Sequence, residues 1–215
     1  MGASSKLRKY RSDHEDLNTR SRSAIIEAGQ VLFLEQGIAS TTMGEIADQA
    51  GVSRVTVYRH FPECGAIAFE VYNRMLESIL EATRAEVPSG VSGLDAARHC
   101  LKALFTAYPS QESAFRLCAA FSSYYAIEER SDEQAEWYDA REFRGLADAC
   151  GEFFGSQLDR ATANRLMALT DAAASGLGSL ALASAPQNQT NVETRLRNLE
   201  EMVLEHFDAV IAPSA

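Results

Sequence analysis

Apolar side chains return every three or four positions along this chain, which is the spacing of one face of a helix. In the segment 21–36, one such series runs through Ile25, Ala28 and Leu32. Gly37 follows that segment directly, at the place where a helix often ends in a left-handed residue. We therefore predict a helix over 21–36. Helix signals dominate the rest of the chain as well, and the pattern predicts an all-α fold.

Two short helices joined by a glycine turn are predicted next. Thr42 and Glu45 have the spacing of a capping box, in which each side chain bonds the backbone N–H of the other residue at the start of a helix. Gly51 permits a positive φ in the turn, and Ser53 can cap a following helix over Arg54–His60. This arrangement is the helix-turn-helix pattern.

The second of these helices carries side chains that can donate hydrogen bonds to phosphates or base edges, namely Arg54, Thr56, Tyr58, Arg59 and His60. A packing role is the alternative for Tyr58. Its position beside Arg59 and His60, on a helix expected to face solvent, favours DNA contact instead. Val52 and Phe61 are expected to be core residues of the same small domain.

The run Ile46–Phe61, with Ala-Gly-Val-Ser ahead of a Tyr-containing short helix, resembles the DNA-binding domain of TetR-type transcriptional regulators. The resemblance implies an all-α homodimer with an N-terminal three-helix DNA-binding domain and a larger ligand-binding domain. It also implies a palindromic operator in double-stranded DNA, and a small-molecule effector that shifts the fourth helix and releases the DNA. The DNA contacts that it implies are Thr42, Ser53, Arg54, Val55, Thr56, Tyr58, Arg59 and His60, with Thr42, Tyr58 and His60 on phosphates.

Within this set, the resemblance assigns base contacts to the start of the recognition helix, at Arg54, Val55 and Thr56. Two positions depart from the family pattern. Val55 stands where the family most often has glycine, and a valine there can contact a thymine methyl group. Cys64 and Gly65 stand where the family usually has a Lys-Glu pair, so one phosphate contact is missing.

The charge of the chain is unevenly distributed. The chain has 215 residues and a net charge of −10. Residues 1–62 contain eight Lys/Arg and seven Asp/Glu, a net of +1, whereas residues 63–215 contain twelve and twenty-three, a net of −11. This asymmetry fits a DNA-contacting module at the front. We predict a flexible basic tail over 1–20, a DNA-binding domain over 21–62, and a helical ligand-binding and dimerisation domain over 63–215.

Prolines divide the third part into predicted helices over 63–86, 94–108, 111–127 and 132–154. These segments are rich in aromatic residues, whose default role is to fill a helical core. A site for a hydrophobic effector needs some of them to line a cavity together with a few polar groups. Because helices four to seven enclose the pocket of TetR-type regulators, the resemblance implies effector contacts from Met75, Phe105, Cys118, Phe121, Tyr125, Trp137 and Phe154.

The last two predicted helices each carry one long apolar stripe with small residues beside it. Such stripes can pack as a hairpin within one chain, or as a four-helix bundle between two subunits. A protein that reads a palindrome must present two recognition helices, so we favour a homodimer. The stripes contain Leu166, Leu169, Ala173, Leu177, Leu180, Leu196, Leu199 and Val203.

Several other classes of protein lack their signatures in this sequence. There is no nucleophile elbow, phosphate-binding loop or dinucleotide fingerprint, and no helix pairs two histidines as a zinc site needs, so we expect no enzyme, cofactor or metal. No charge-free apolar run reaches eighteen residues and the first twenty residues are polar, so we expect no membrane span and no secretory signal. The four cysteines form no C-x-x-C pair, and we expect reduced thiols in a cytoplasmic protein.

Together, the residues and the resemblance predict a ligand-responsive repressor that a small hydrophobic effector releases from a palindromic operator. The alternative is an architectural or cell-cycle DNA-binding protein of the same fold, whose second domain binds a protein partner. A closed aromatic cavity would favour the first function. A filled core with an exposed apolar patch would favour the second.

Overall fold

The computed structural model describes residues 3–127, 158–183 and 189–211. These residues form helices and connecting turns, with no strand among them, which confirms the all-α class. The helices are α1 (Ala3–Gln36), α2 (Met43–Ala50), α3 (Arg54–His60), α4 (Cys64–Glu86), α5 (Gly93–Ile127), α6 (Arg160–Ala183) and α7 (Gln189–His206), and a π-helical turn (Phe207–Ile211) follows α7.

The first helix is longer than the sequence pattern predicts. Residues 3–20 were expected to form a flexible tail, and their backbone instead continues α1. No glycine or proline occurs between Ala3 and Ala28, so nothing in the backbone chemistry interrupts the helix there. The end of α1 agrees with the sequence. Gly37 has a φ of 85°, and its N–H donates to the carbonyl oxygen of Phe33 at 3.1 Å.

Helix α5 passes through Pro109, where the sequence predicted a break between two helices. Proline lacks a backbone N–H and crowds the preceding turn, which costs about 3 kcal/mol in a helix interior. Large aromatic side chains are buried on both sides of Pro109 and hold the helix in place. Phe105 and Tyr108 before the proline and Phe115 after it are each at most 3% exposed. Packing of these large side chains offsets the cost of the proline.

The chain divides into two compact units, Met1–Tyr72 and Asn73–Ala215. The boundary lies inside α4 and not at residue 62, where the predicted DNA-binding domain ends. The first half of α4 packs on α1, because Arg22 donates to the Glu70 carboxylate at 2.7 Å and a methyl group of Ile67 lies against Gly29. The first unit is filled by side chains that are at most 4% exposed, among them Ile25, Ile26, Phe33, Ile46, Val57, Phe61 and Phe69.

The second unit is organised by the packing of α6 on α5. A β-carbon at Gly178 would lie only 2.7 Å from the β-carbon of Ala119, so this glycine lets the two helices approach closely. Across the same pair, Nε of Arg116 donates to the carbonyl oxygen of Ala181 at 3.0 Å. Burial in this unit includes the α6 stripe that the sequence assigned to dimer contacts, namely Leu166, Leu169, Ala173, Leu177 and Leu180.

This burial corrects the sequence-based assignment of the dimer interface. The α6 stripe is at most 8% exposed within one chain, so it has no free surface to offer a second subunit. Val203 of α7 is buried in the same way, whereas Leu196 and Leu199 are half-buried. The α6 stripe is therefore covered within one chain, with α5 as a major packing partner of α6. Periodicity identified the apolar face of α6, but periodicity carries no information about which helix covers that face.

Among the described helices, α6 alone is long and apolar enough to cross a membrane by length and composition. Eight of its residues are buried within the chain, as in a core helix of a helical body. The same helix also contains the charged residues Arg160, Arg165 and Asp171. The packing on α5 thus accounts for its apolar character. The predicted helix over 132–154, with Trp137 and Phe154, lies outside the described residues.

Candidate nucleic-acid interface

Helix α2 begins with the capping box that the sequence predicts. The backbone N–H of Glu45 donates to the Thr42 hydroxyl at 3.3 Å, and the Glu45 carboxylate accepts from the backbone N–H of Thr42 at 2.8 Å. The Thr42 hydroxyl lies 2.8 Å from the same carboxylate oxygen. These bonds lower the pKa of Glu45, with the backbone N–H of Thr42 as the largest cause. The carboxylate is therefore charged, and it fixes the start of α2.

The turn from α2 to α3 depends on one glycine and one serine. Gly51 has a φ of 66°, and its N–H donates to the carbonyl oxygen of Asp48 at 3.2 Å. Ser53 then caps α3, since its hydroxyl accepts from the backbone N–H of Thr56 at 3.1 Å. The Ser53 and Thr56 hydroxyls also share a hydrogen bond of 2.9 Å. Local chemistry alone thus sets the direction in which α3 leaves the turn.

Helix α3 has one buried position and a continuous outward face. Val57 is fully buried and holds the helix on the domain core. Arg54, Val55, Tyr58 and Arg59 are exposed, and their spacing along a helix places them side by side on the opposite surface. The exposure of Val55 reaches 79% and that of Tyr58 reaches 57%. A short helix that exposes two arginines and two large apolar side chains together is suited to phosphates, base edges and thymine methyl groups.

Two of the predicted contact residues, Thr42 and His60, already have local partners or surroundings that restrict them. The Thr42 hydroxyl can donate to a phosphate only by leaving the Glu45 carboxylate. His60 is half-buried, and its Nε2 is enclosed with no hydrogen-bond partner in the described part of the chain. Burial, with the charges of Arg59 and Arg22, lowers the pKa of His60, so its imidazole is neutral at pH 7. Only the Nδ1 edge of His60 is left for a phosphate.

The end of α3 is braced by a residue that the sequence analysis did not single out. The guanidinium carbon of Arg22 lies 5.2 Å from the ring centroid of Phe61, the C-terminal cap of α3. The same guanidinium pairs with Glu70 of α4. Arg22 therefore links α1, the end of α3 and the head of α4 within the first unit. Its position in an N-terminal charge run hid this role, because a charge run most often marks a solvated helix face.

The residues predicted to contact an effector lie on α4 and α5 where they are described. Met75 is half-buried on α4, and Phe105 and Phe121 are buried on α5. Phe121 and Tyr125 are in ring contact, with centroids 5.8 Å apart. Burial raises the pKa of the Cys118 thiol to about 12, so it stays protonated. Trp137 and Phe154 lie outside the described residues.

No group of three His, Cys, Asp or Glu side chains within the described stretches is placed to hold a metal ion.

Comparison with known proteins identifies the helix-turn-helix unit. Residues 25–70 match the family model described as bacterial regulatory proteins, tetR family. The HTH-type transcriptional repressor KstR2 of Rhodococcus jostii is 31% identical over 85 residues, which are 40% of each protein. KstR2 of Mycobacterium tuberculosis is 28% identical over 132 residues, 57% of this chain and 65% of that protein. The chain thus matches less than two thirds of the length of either curated relative.

Likeness to a solved structure extends over most of the chain. The fatty acid degradation regulator FadR from Bacillus halodurans has a TM-score of 0.55 at 15% identity, covering 86% of this chain and 94% of that one. At this identity the likeness shows a shared fold. The family match covers α2 and α3, together with the capped turn and the buried Val57 that position the recognition helix. Residues 25–70 of this chain thus match the DNA-binding domain of the TetR family of bacterial transcriptional regulators, and regulators of that family are not enzymes.

Proposed function

We propose that this chain is a transcriptional repressor that binds a palindromic operator as a homodimer and leaves it when a small hydrophobic effector binds the second unit. The observation that carries the DNA-binding part is the exposed face of α3, with Arg54, Val55, Tyr58 and Arg59 side by side. This face holds two fixed positive charges and no acidic side chain. In this proposal the protein acts in the cytoplasm, where the DNA is.

The base contacts are assigned to the N-terminal turn of α3. Arg54 presents a planar guanidinium suited to the O6 and N7 acceptors of guanine, and Val55 presents an apolar surface suited to a thymine methyl group. Thr56 is half-buried and its hydroxyl is hydrogen-bonded to that of Ser53. It therefore lies at the edge of the exposed face and has a minor part in base contacts. Arg54 and Val55 are therefore the principal readers.

Phosphate contacts are assigned to the rim of the same face. Tyr58 and Arg59 are exposed and can reach the backbone directly. Thr42 and Ser53 stand at the two helix starts, where the free N–H groups of α2 and α3 also favour an anion. His60 contributes through Nδ1 alone. Phosphate contacts fix the register of the protein on DNA and carry no base information.

Repression is the direction of control favoured by the relatives, since both KstR2 proteins are named as transcriptional repressors. For effector release, α4 is the natural element, because this continuous helix contributes residues to both compact units. An effector held by Met75, Phe105, Cys118, Phe121 and Tyr125 would meet apolar and aromatic groups and a protonated thiol. The chemistry of this set favours an uncharged hydrophobic molecule. The dimer is in equilibrium between a form that binds DNA and a form that does not. An effector shifts this equilibrium only as far as its affinity for the second form exceeds its affinity for the first.

The dimer interface is assigned to the outer faces of α6 and α7. Their inner faces are covered within the chain, whereas Leu182 and Met202 are 54% and 58% exposed. Leu196 and Leu199, the α7 residues of the predicted stripe, are half-buried. Large exposed apolar side chains on neighbouring helices are typical of subunit interfaces.

Selection of binding sites from random double-stranded DNA tests the proposed function. The full-length chain should enrich an inverted repeat whose half-sites lie on one side of the duplex, about one helical turn apart or a multiple of that. Its affinity should fall steeply with salt, because phosphate contacts release counterions. Failure to enrich any sequence, at both low and physiological salt, would contradict operator binding. Enrichment without release by any hydrophobic compound would favour control by a protein partner.

A further inference from the structure

We infer that Gly44 of α2 positions the guanidinium of Arg54 and thereby sets the base preference of the recognition helix. Gly44 belongs to the first turn of α2, and Arg54 is the first residue of α3. The inference deepens the proposed function and rests on it, because it concerns how one of the proposed readers is held. Neither the helix-turn-helix pattern nor any capping role requires glycine at position 44.

The guanidinium of Arg54 occupies the space that a side chain at position 44 would need. A β-carbon built on Gly44 would lie 2.6 Å from Nη2 of Arg54, 2.9 Å from Cζ and 3.0 Å from Nε. Three atoms of one guanidinium are thus packed over a single glycine. Carbon and nitrogen atoms that are not bonded stay about 3.5 Å apart or more, so any side chain at position 44 displaces the Arg54 head group.

Glycine is otherwise an unfavourable choice at this position. Gly44 lies in an α-helix, and its φ is not among the positive values of the described glycines. Glycine is the poorest helix former after proline, because it loses the most backbone freedom. No conformational need explains its presence, whereas the close approach of Arg54 does. The signal in the sequence is a glycine inside the first turn of a well-capped helix, which often marks a close approach of another group.

The packing leaves the donors of Arg54 available for DNA. Within the described residues, no hydrogen bond or ion pair occupies this guanidinium, and the side chain is exposed. An arginine on a free surface must give up much rotamer freedom when it binds a base. A head group already resting on Gly44 has fewer arrangements to lose, so more of its hydrogen-bond energy appears as discrimination between bases. Gly44 is therefore a positioning residue for Arg54.

The test compares base preferences of the full-length wild type, Gly44→Ala, Arg54→Ala and the double variant, with random double-stranded DNA as the probe. Gly44→Ala should lose at least fivefold discrimination at the same base position that Arg54→Ala affects. It should leave preferences at the other positions unchanged. Adding Gly44→Ala to Arg54→Ala should change the preference less than twofold, because the group that it displaces is already gone. Gln49→Ala, an exposed position on the same helix, is the control and should behave as wild type.

Folding is monitored by thermal unfolding of each variant. Gly44→Ala should melt at the wild-type temperature or above, because the displaced atoms are the end of a flexible side chain and alanine is the better helix former. An unchanged preference in Gly44→Ala overturns the inference. A uniform loss at all sequences that persists in the Arg54→Ala background also overturns it, since Gly44 would then approach the phosphate backbone itself. If Arg54→Ala selects the same sequence as wild type, the proposed role of α3 fails instead.

Discussion

Replacing Gly178 by alanine should destabilise the second unit, even though alanine favours helices. The new β-carbon would lie 2.7 Å from the β-carbon of Ala119, about 0.8 Å short of the 3.5 Å at which two carbons begin to pack well. Both atoms are attached directly to helix backbones, so neither can rotate away. Overpacking of this kind costs about 1–3 kcal/mol, whereas replacing a helical glycine by alanine gains about 1 kcal/mol. We expect a net loss of about 1 kcal/mol in the free energy of unfolding.

Gly176→Ala provides a matched control on the same helix. Its β-carbon would also come close to a neighbour, at 2.6 Å from Cδ2 of Leu199. That neighbour is the end of a side chain, which can adopt another rotamer, so the clash is relieved without moving a helix. Gly176→Ala should therefore be near neutral or slightly stabilising. The contrast between the two glycines isolates the rigid contact from the common gain in helix propensity.

A rescue variant makes this prediction sharper. In the double variant Gly178→Ala, Ala119→Gly, the new methyl group on α6 faces a glycine on α5. The contact again pairs one glycine with one alanine, as in the wild type, but with the two residues exchanged between the helices. Urea unfolding at a single protein concentration, followed by helical circular dichroism, should place the double variant above Gly178→Ala and close to wild type. Equal or greater stability of Gly178→Ala relative to wild type, or no recovery in the double variant, would refute the close packing of α6 on α5.

Three further predictions concern chemistry and assembly. Because burial raises the pKa of Cys118 to about 12, roughly one thiol in ten thousand is ionised at pH 8, and mass spectrometry should find Cys118 unalkylated by iodoacetamide until the chain is unfolded. The pKa of His60 is lowered in the folded chain, so the unfolded chain binds more protons than the folded chain once the pH falls below about 6.5. The melting temperature should therefore drop toward pH 5, and it should drop less in His60→Gln. Leu182→Lys combined with Met202→Glu should give folded monomers in sedimentation experiments, whereas Val31→Glu, a change at an exposed position on α1, should leave the dimer intact; a persistent dimer in the first variant moves the interface elsewhere.

The parts of the molecule that follow local rules could be predicted from the sequence. The bounds of α2 and α3 agree because Thr42, Glu45, Gly51 and Ser53 fix them through bonds to residues at most four positions away. Local rules were insufficient at Pro109, where packing on both sides carries the helix through the proline.

Other features of the site depend on contacts between elements, which the sequence pattern does not encode. The α6 stripe was correctly identified as apolar, but its burial against α5 follows from three-dimensional packing. The contact of Arg54 with Gly44 joins two helices that the turn at Gly51 brings together. The helical pattern likewise does not indicate that Nε2 of His60 is enclosed. Residue type marked the α6 stripe, Arg54 and His60 as candidates, and their packing in the folded chain determines what each can contact.

We expect the exposed face of α3 to read DNA, and a pair of identical substitutions tests this role most directly. Val55 on α3 and Val31 on α1 are both exposed, at 79% and 41%, so a glutamate at either position leaves the core untouched. Binding of the selected operator should be measured for Val55→Glu, Val31→Glu and wild type at one salt concentration. We expect Val55→Glu to weaken binding at least a hundredfold, because it sets a negative charge against the floor of the groove, and Val31→Glu to stay within threefold of wild type. Wild-type affinity in Val55→Glu, or an equal loss in both variants, would contradict this role.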